Sequence, residues 1–382
     1  MSKPLRILVV EDSEDDTLLL LRELRRGHFV PAFERVDTPA AMTAALDRQS
    51  WDIVVADFSM PRFNAIAALE LLKQKHLDLP FIIVSGTIGE ELAVEAMKNG
   101  AKDYIMKGNL KRLVPAVERE LRETAARRER IRIEDELRET REQFRVAREI
   151  QQRLFPKAPP HFEPFDIAGA SYAAEATGGD YFDYLPMADG CLGVVVADVT
   201  GHGIGPALLM AETRAYLRML ARNRADVGEI LVRANRMLAE DVGFERFVTM
   251  ILTKLDARSQ SMTYASAGHP SGYVLDASGN VKTVLKRTGV PLGVQPDVAY
   301  RPMPSVPLLP GDHVLLLTDG FEEALSPENT LFDVQRVLDV ARAQSEKSAR
   351  ETVEALYDAV RTFSQNEPQL DDLTVVVIKV RP

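Results

Sequence analysis

Along the first third of the chain, short apolar runs alternate with amphipathic stretches. "ILVV" is followed by "DTLLLLRELRR", "FERV" by a helical pattern over Ala40–Arg48, and "IVVA" by one over Ala65–Lys75. "FIIV" then leads to a helical pattern near Glu90–Asn99, and "DYIM" to a last one from about Leu110. Apolar runs of this length suit buried strands, and a period near 3.6 suits helices packed over them. Five such units predict an α/β domain with a five-stranded, parallel, doubly wound sheet. In such sheets the ligand crevice lies at the carboxyl ends of the strands.

From about Pro115 to Leu154 the pattern changes to dense Arg and Glu without glycine. Ile133, Leu137, Phe144 and Leu154 fall on a heptad spacing, with Thr140, Ala147 and Gln151 filling the seam. This predicts a helical linker with salt-bridging flanks that pairs two chains as a homodimer; a single solvated helix is the alternative. "FPKAPP" ends the helix. Beyond it, "CLGVVVADV", "VTMILTKLD", "SMTYASAG", "SGYVLDA", "DHVLLLTDG" and "LTVVVIKV" read as strands. Helices are expected over Pro206–Asn223, Val227–Glu240 and Ser348–Ser364. Strand-rich sequence with separately placed helices predicts a layered α+β domain. The expected division is 1–122, a linker over 123–155, and 156–382.

Composition narrows the function classes. The chain of 382 residues is 46% hydrophobic and 27% charged, ordinary for globular protein. A net charge of -10 argues against nucleic acid as a partner, since phosphate binding needs a basic surface. Cys191 is the sole cysteine and lies in an apolar run, which predicts a core residue in a reducing compartment. The opening residues turn acidic too soon for a secretory signal, and no apolar run is long enough to span a membrane. A cytoplasmic protein with no membrane partner is expected.

Strand-end residues carry the chemistry of the first domain. Glu11 and Asp12 follow the first strand, Asp57 the third, Ser85 the fourth and Lys107 the fifth. All five converge on one crevice, where three carboxylates call for a hard cation such as Mg2+. With "VVEDSEDD", "VVADFSMPRFN", "IIVSGTIGEE" and "GAKDYIMKGNL", residues 4–122 resemble a response-regulator receiver domain. The resemblance implies that Asp57 accepts a phosphoryl group from a cognate histidine kinase or phosphotransfer protein. Glu11, Asp12 and Asp57 would hold Mg2+, Lys107 and Ser85 would contact the phosphoryl oxygens, and Tyr104 would be the aromatic switch. Gly86 stands where many receivers have alanine.

In the last domain, Asp180 ("ATGGDYFD"), Asp198 ("VVADVTGHG"), Asp319 ("LLLTDGFEEA") and the pair Asp371 and Asp372 ("PQLDDLTVVV") sit at strand ends beside small residues. "GHGIG" matches neither common phosphate loop, and no lysine follows it. The glycines therefore make room and the aspartate binds metal. No Cys–His cluster accompanies the aspartates, so zinc fits poorly, whereas two Mn2+ or Mg2+ ions that activate water at phosphorus fit well.

"GGDYFD", "DVTGHGIGPAL", "SAGHPSGYV", "GVPLG", "LLLTDGFEEA" and "DDLTVVV" follow in order the pattern of the PPM (type 2C) protein phosphatases. Residues 145–380 are most similar to the bacterial sporulation and stress-response branch. The resemblance implies two packed β-sheets flanked by helices, with a dinuclear site at one end. Asp180 and Asp198 would hold both metals, with Asp198 bridging and the Val199 carbonyl assisting. Asp319 and Asp371 would complete the second metal, with Asp372 the less certain member of its pair. It also implies that water attacks phosphoserine or phosphothreonine of a protein such as an anti-sigma-factor antagonist. No counterpart is apparent for the arginine that grips phosphate in the eukaryotic enzymes. The preceding "AREIQQRLFP" resembles a helix that carries regulation in the family. His202 and His269 read as structural hydrogen-bonding residues, Asp183 as a helper to the fold, Leu208–Met210 and Met237–Leu238 as core, and Glu322–Glu323 as a solvated turn.

The expected molecule is a response regulator whose output is a metal-dependent protein-serine/threonine phosphatase, with the linker transmitting the signal. The alternative is a non-catalytic adaptor, but such domains lose metal aspartates. A DNA-binding output lacks a basic recognition helix.

Overall fold

Two strands of the first unit, Ile53–Asp57 and Phe81–Ser85, are buried along their whole length, which explains their uninterrupted apolar runs. The computed structural model describes residues 2–381 apart from 62, 87–93, 95, 96, 99 and 242–245, and its two compact units are Met1–Glu139 and Thr140–Pro382. In the first, β1 (Lys3–Val10), β2 (Phe29–Val36), β3 (Ile53–Asp57), β4 (Phe81–Ser85) and β5 (Asp103–Met106) form a parallel sheet in the order β2-β1-β3-β4-β5. Helices α1 (Glu14–Arg26), α2 (Pro39–Arg48) and α3 (Ala65–Gln74) start on Ser13, Thr38 and Asn64, whose side chains accept from the backbone three residues on. Each cap satisfies an otherwise orphaned N–H and fixes where the strand-end loop stops. The helix expected near Glu90–Asn99 lies for the most part outside the described residues.

Helix α4 (Leu113–Gln152) has 40 residues and belongs in part to each unit. It starts three residues later than the pattern suggests because Lys107–Arg112 forms a 3-10 turn with a break at Asn109. Along it, Arg132 pairs with Glu129 and Arg145 with Glu142, both at 2.6 Å. Ile133 and Leu137 of the expected seam are exposed and Phe144 is half-buried.

The second unit is a sandwich of two antiparallel five-stranded sheets. One runs β13 (Val306–Pro307), β10 (Ser261–Ala267), β9 (Val248–Asp256), β8 (Leu192–Val199), β7 (Tyr181–Pro186). The other runs β12 (Val281–Leu285), β11 (Gly272–Leu275), β14 (His313–Leu317), β15 (Leu373–Val380), β6 (Phe165–Tyr172). Phe182, Val194, Val196, Ile251, Val376 and Ile378 fill the space between them. Helices α5 (Ile204–Asn223) and α6 (Val227–Asp241) cover the outer face of the first sheet. The second is covered by α8 (Asp333–Ala343) and α9 (Ala349–Phe363), while α7 (Gly320–Glu323) is a single turn. β15 is apolar almost throughout because a sheet covers one face and α9 the other.

Some details differ from expectation. Leu208 is 65% exposed, whereas Leu209 and Met210 are buried; one step along α5 turns a side chain about 100° away from the sheet. Cys191 is half-buried at the edge of the core. Glu322, half-buried, and Glu323, exposed, lie in the single helical turn of α7. Among the described residues no helix is long and apolar enough to cross a membrane.

Asp183 on β7 is fully buried. It accepts from Arg218 Nε and Nη2 at 2.6 and 2.8 Å, from the Tyr181 hydroxyl at 2.8 Å and from the Tyr184 N–H at 2.8 Å. This ties α5 to β7 and occupies the carboxylate within the fold. Arg218→Met is expected to cost about 2 kcal/mol, less than a fully buried pair because Arg218 is partly wet. Urea unfolding measures this; a loss below about 0.5 kcal/mol would reduce the contact to a surface ion pair.

Candidate functional site

In the first unit the parallel ladder places the predicted residues together. The carboxylates of Glu11, Asp12 and Asp57 offer oxygens that all lie within 4.8 Å of one another. Glu11 and Asp57 are buried and Asp12 is exposed. Lys107 Nζ donates to Glu11 and Asp57 at 2.9 Å each and to Asp16 at 2.5 Å. Burial raises the Glu11 pKa, with help from the Asp57 charge and against the Lys107 bond. Burial alone would lower that of Lys107, but its bonds to Asp16, Glu11 and Asp57 outweigh this and hold it above its ordinary value. The converging oxygens of Glu11, Asp12 and Asp57 form a donor set that suits a divalent cation. Ser85 is buried at the end of β4, and Tyr104 is partly buried against the core. Asp16 went unrecognised in the sequence, although the "EDSEDD" spacing around the Ser13 cap could have suggested it.

In the second unit the strand pairing gathers the aspartates. Asp198 closes β8 and Asp180 precedes β7, which pairs with it. Asp319 follows β14, which pairs with β15, the strand that Asp371 and Asp372 precede. Burial raises the Asp198 pKa to about 7, assisted by Asp319, Asp371 and Asp372. Burial and then the charges of Asp198 and Asp372 raise that of Asp180 well above the usual carboxylate range. Burial likewise raises that of Asp371, with Asp319 adding to it. Mutually repelling, desolvated carboxylates are the donor set that hard divalent cations relieve.

Backbone geometry fits the same purpose. A Cβ on Gly179 would stand 2.3 Å from the Val199 carbonyl oxygen and 3.4 Å from Asp198 Oδ1. Only glycine lets that carbonyl and Asp180 approach each other. Gly201 and Gly203 have φ of 92° and 88°, so the loop after Val199 turns where other residues would be strained. The Arg246 guanidinium packs against Gly205 in the first turn of α5.

The members of the "DD" pair differ. Asp372 is buried, and its carboxylate accepts from the Ala174 N–H at 2.8 Å and the Asp180 N–H at 3.4 Å. It positions the Asp180 loop, while the Asp371 carboxylate accepts locally, from the Asp372 N–H, among the described residues. Thr318 donates its hydroxyl to Asp180 Oδ2 at 2.8 Å. His269 is buried, shares a 2.9 Å hydrogen bond with Thr249 opposite Asp198, and is neutral because burial lowers its pKa to about 3. His202 is exposed, 3.3 Å from Glu175.

Gln151, placed in the helical seam by the sequence pattern, does something else. Its Nε2 donates to the Gly178 carbonyl at 2.7 Å and its Oε1 accepts from the Gly178 N–H at 3.2 Å. The last turn of α4 thus grips the main chain two residues before Asp180. A polar cavity of about 460 Å³ lies there, lined by Gln151, Gln152, Phe155, Tyr172, Asp180 and Tyr357.

Comparison with known proteins agrees with both units. The family model described as Stage II sporulation protein E matches residues 188–381, and the response regulator receiver domain model matches residues 7–118. The phosphoserine phosphatase RsbU of Bacillus subtilis is 28% identical over 63% of this chain and 71% of its own. Protein IcfG of Synechocystis is 22% identical over 97% of this chain and 58% of its own, so the chain spans little more than half of that relative. The SiaA-PP2C domain of Pseudomonas aeruginosa superposes with a TM-score of 0.56 at 24% identity, covering 64% of this chain and 98% of that one, which shows a shared fold.

Gly179→Ala is expected to displace the Val199 carbonyl and weaken Mn2+ binding about tenfold or more, at a stability cost within about 1–3 kcal/mol for overpacking. Isothermal titration with Mn2+ beside urea unfolding checks both numbers. Wild-type affinity in the variant would remove Val199 from the metal centre.

Proposed function

The chain belongs to the SpoIIE family of PPM-type serine/threonine phosphatase domains, carried behind a response regulator receiver domain, and from that premise we propose a phosphorylation-controlled protein phosphatase. The observation that carries the reading is the convergence of Asp180, buried, and Asp198, half-buried, with Asp319 and Asp371 at the strand ends, where desolvation and then the neighbouring carboxylates raise the pKa of Asp180, Asp198 and Asp371. Asp180, Asp198, Asp319 and Asp371, with the Val199 carbonyl, hold two Mn2+ or Mg2+ ions. Such ions lower the pKa of water and offset charge developing on phosphorus.

The remaining groups orient rather than react. Thr318 holds one Asp180 oxygen through its hydroxyl. Asp372 fixes the loop from Ala174 to Asp180 through two N–H groups. As the family resemblance implies, water held at the metals rather than a side chain would be the nucleophile, and the proposed substrate is phosphoserine or phosphothreonine on a protein. An anti-sigma-factor antagonist is the proposed substrate class, since the RsbU-like branch acts on such proteins.

In the receiver, Asp57 is the proposed phosphoacceptor, served by a histidine kinase or phosphotransfer protein, with Mg2+ held by Glu11, Asp12 and Asp57. Lys107 and Ser85 contact the phosphoryl oxygens and Tyr104 responds to Ser85. Helix α4 is the proposed transmitter and the seam of a homodimer. Its exposed Ile133 and Leu137 supply apolar contact, and Gln151 delivers the signal to the Gly178 main chain.

The test is hydrolysis of p-nitrophenyl phosphate by the full chain with Mn2+, with and without beryllofluoride at Asp57. Metal-dependent turnover should change on beryllofluoride and fall by about 10³-fold or more in Asp198→Ala. No turnover in either state, even on a phosphoserine protein, would favour a partner-binding adaptor. Leu137→Glu with Phe144→Glu should abolish the beryllofluoride response while basal turnover persists. An intact response would overturn the transmitter role of the helix.

A further inference from the structure

A groove of about 690 Å³ opens beside the aspartate site of the second unit and shares Gly320 and Asp371 with that region. Its apolar walls are Ala324, Leu325, Leu331, Val360, Leu370 and Leu373. The volume falls within the ~300–1,000 Å³ typical of ligand pockets. Leu370, immediately before Asp371, is 77% exposed, and Leu331 is 51% exposed. Single exposed leucines need no explanation, but two that line one groove leading to a reactive centre form a contiguous apolar surface.

The wall carrying Leu325 and Leu331 is pre-formed. These two residues bridge antiparallel across their loop. Inside the loop the buried Ser326 hydroxyl accepts from the Glu328 and Thr330 N–H groups at 3.2 and 3.3 Å and meets the Thr330 hydroxyl at 2.8 Å. A receptor fixed in this way loses little entropy on binding. Its polar lining is acidic. Glu323 and Glu367 both line the groove, and among the described residues neither is in an ion pair with a basic side chain.

We propose that this groove reads the polypeptide around the phosphorylated residue, taking an aliphatic side chain a few positions from phosphoserine and favouring basic over acidic neighbours. The inference rests on the phosphatase reading of the aspartate site. Continuity decides the occupant. Because Asp371 belongs to both features, a chain with its phosphate at the aspartates reaches the groove within a few residues, at about 3.5 Å per extended residue. The acidic lining complements a basic flank.

The experiment uses the full chain with Mn2+ and alanine-based phosphoserine peptides carrying one leucine at each position from four before to four after the phosphoserine. One or two neighbouring leucine positions should raise kcat/KM about tenfold or more over the all-alanine peptide. In Leu331→Ser that gain should vanish, and in Leu370→Ser it should fall, while hydrolysis of p-nitrophenyl phosphate, too small to reach the groove, stays at the wild-type rate. Exchanging a flanking lysine for glutamate should lower kcat/KM. Equal leucine gains in wild type and variants, or no leucine preference, overturn the proposal. Loss of self-association in Leu331→Ser without any peptide effect assigns the groove to a second copy of the chain and also overturns it. If the wild type hydrolyses neither p-nitrophenyl phosphate nor any of the phosphoserine peptides, the phosphatase reading itself has failed, and this inference falls with it.

Discussion

Crowding carboxylates into one small, partly dry volume is the constraint on which the second unit depends. Like charges about 4 Å apart repel by about 1 kcal/mol in water and several-fold more near a protein interior. Burial, and after it the charges of Asp319, Asp371 and Asp372, push the Asp198 pKa up to about 7. Only a frame that does not yield can keep such groups together. The frame here is the pair of sheets, whose strands β8, β14 and β15 are buried along nearly all their lengths, with Asp198 near the end of β8, Asp319 just after β14 and Asp371 and Asp372 just before β15. The close approach of Gly179 to the Val199 carbonyl then brings the main chain within reach of the same point.

The two units meet this constraint differently. In the receiver the carboxylates surround the Lys107 ammonium, a mobile point charge on a long stem. Such a partner can give way to a metal ion and a phosphoryl group. In the second unit the carboxylates lean on the Thr318 hydroxyl and the N–H groups of Ala174 and Asp180. Neutral donors hold geometry without cancelling charge. Under the proposed reading, that residual charge draws two divalent ions to one end of the sandwich.

The sequence made much of this legible because strand-end chemistry survives as local pattern. An apolar run followed by an aspartate and small residues marks Asp57, Asp198 and Asp319 without knowledge of the fold. The helices over 204–223, 227–241 and 349–363 were likewise readable from their stripes. What escaped depends on contacts distant in sequence. Gln151 has a seam position in the heptad count, yet its amide meets Gly178, 27 residues on. Asp372 looks equivalent to Asp371 until Ala174, 198 residues away, is seen to donate to it. Helix α8 was missed because "LFDVQRVLDVARA" follows a turn-rich loop and starts after Phe332 without a side-chain cap. Leu208 looked like core because composition does not say which side of a helix faces a sheet.

Gln151 also suggests why a modest input could govern such a site. Its two hydrogen bonds to Gly178 are each worth about 0.5–1.5 kcal/mol net. Breaking them neither unfolds the sandwich nor removes a metal ligand. It frees a main-chain segment that Asp372 holds by other bonds and that ends in Asp180. A difference of 1–3 kcal/mol shifts a two-state loop by about 5- to 150-fold. Under the proposed reading, that is enough to switch occupancy of the metal site that Asp180 would help to form. A side-chain amide suits the task because it both donates to and accepts from one peptide unit. It therefore fixes the orientation of that peptide as well as its position. The regulatory reading of α4 thus requires only that its last turn bring Gln151 to Gly178 in one state and withdraw it in the other.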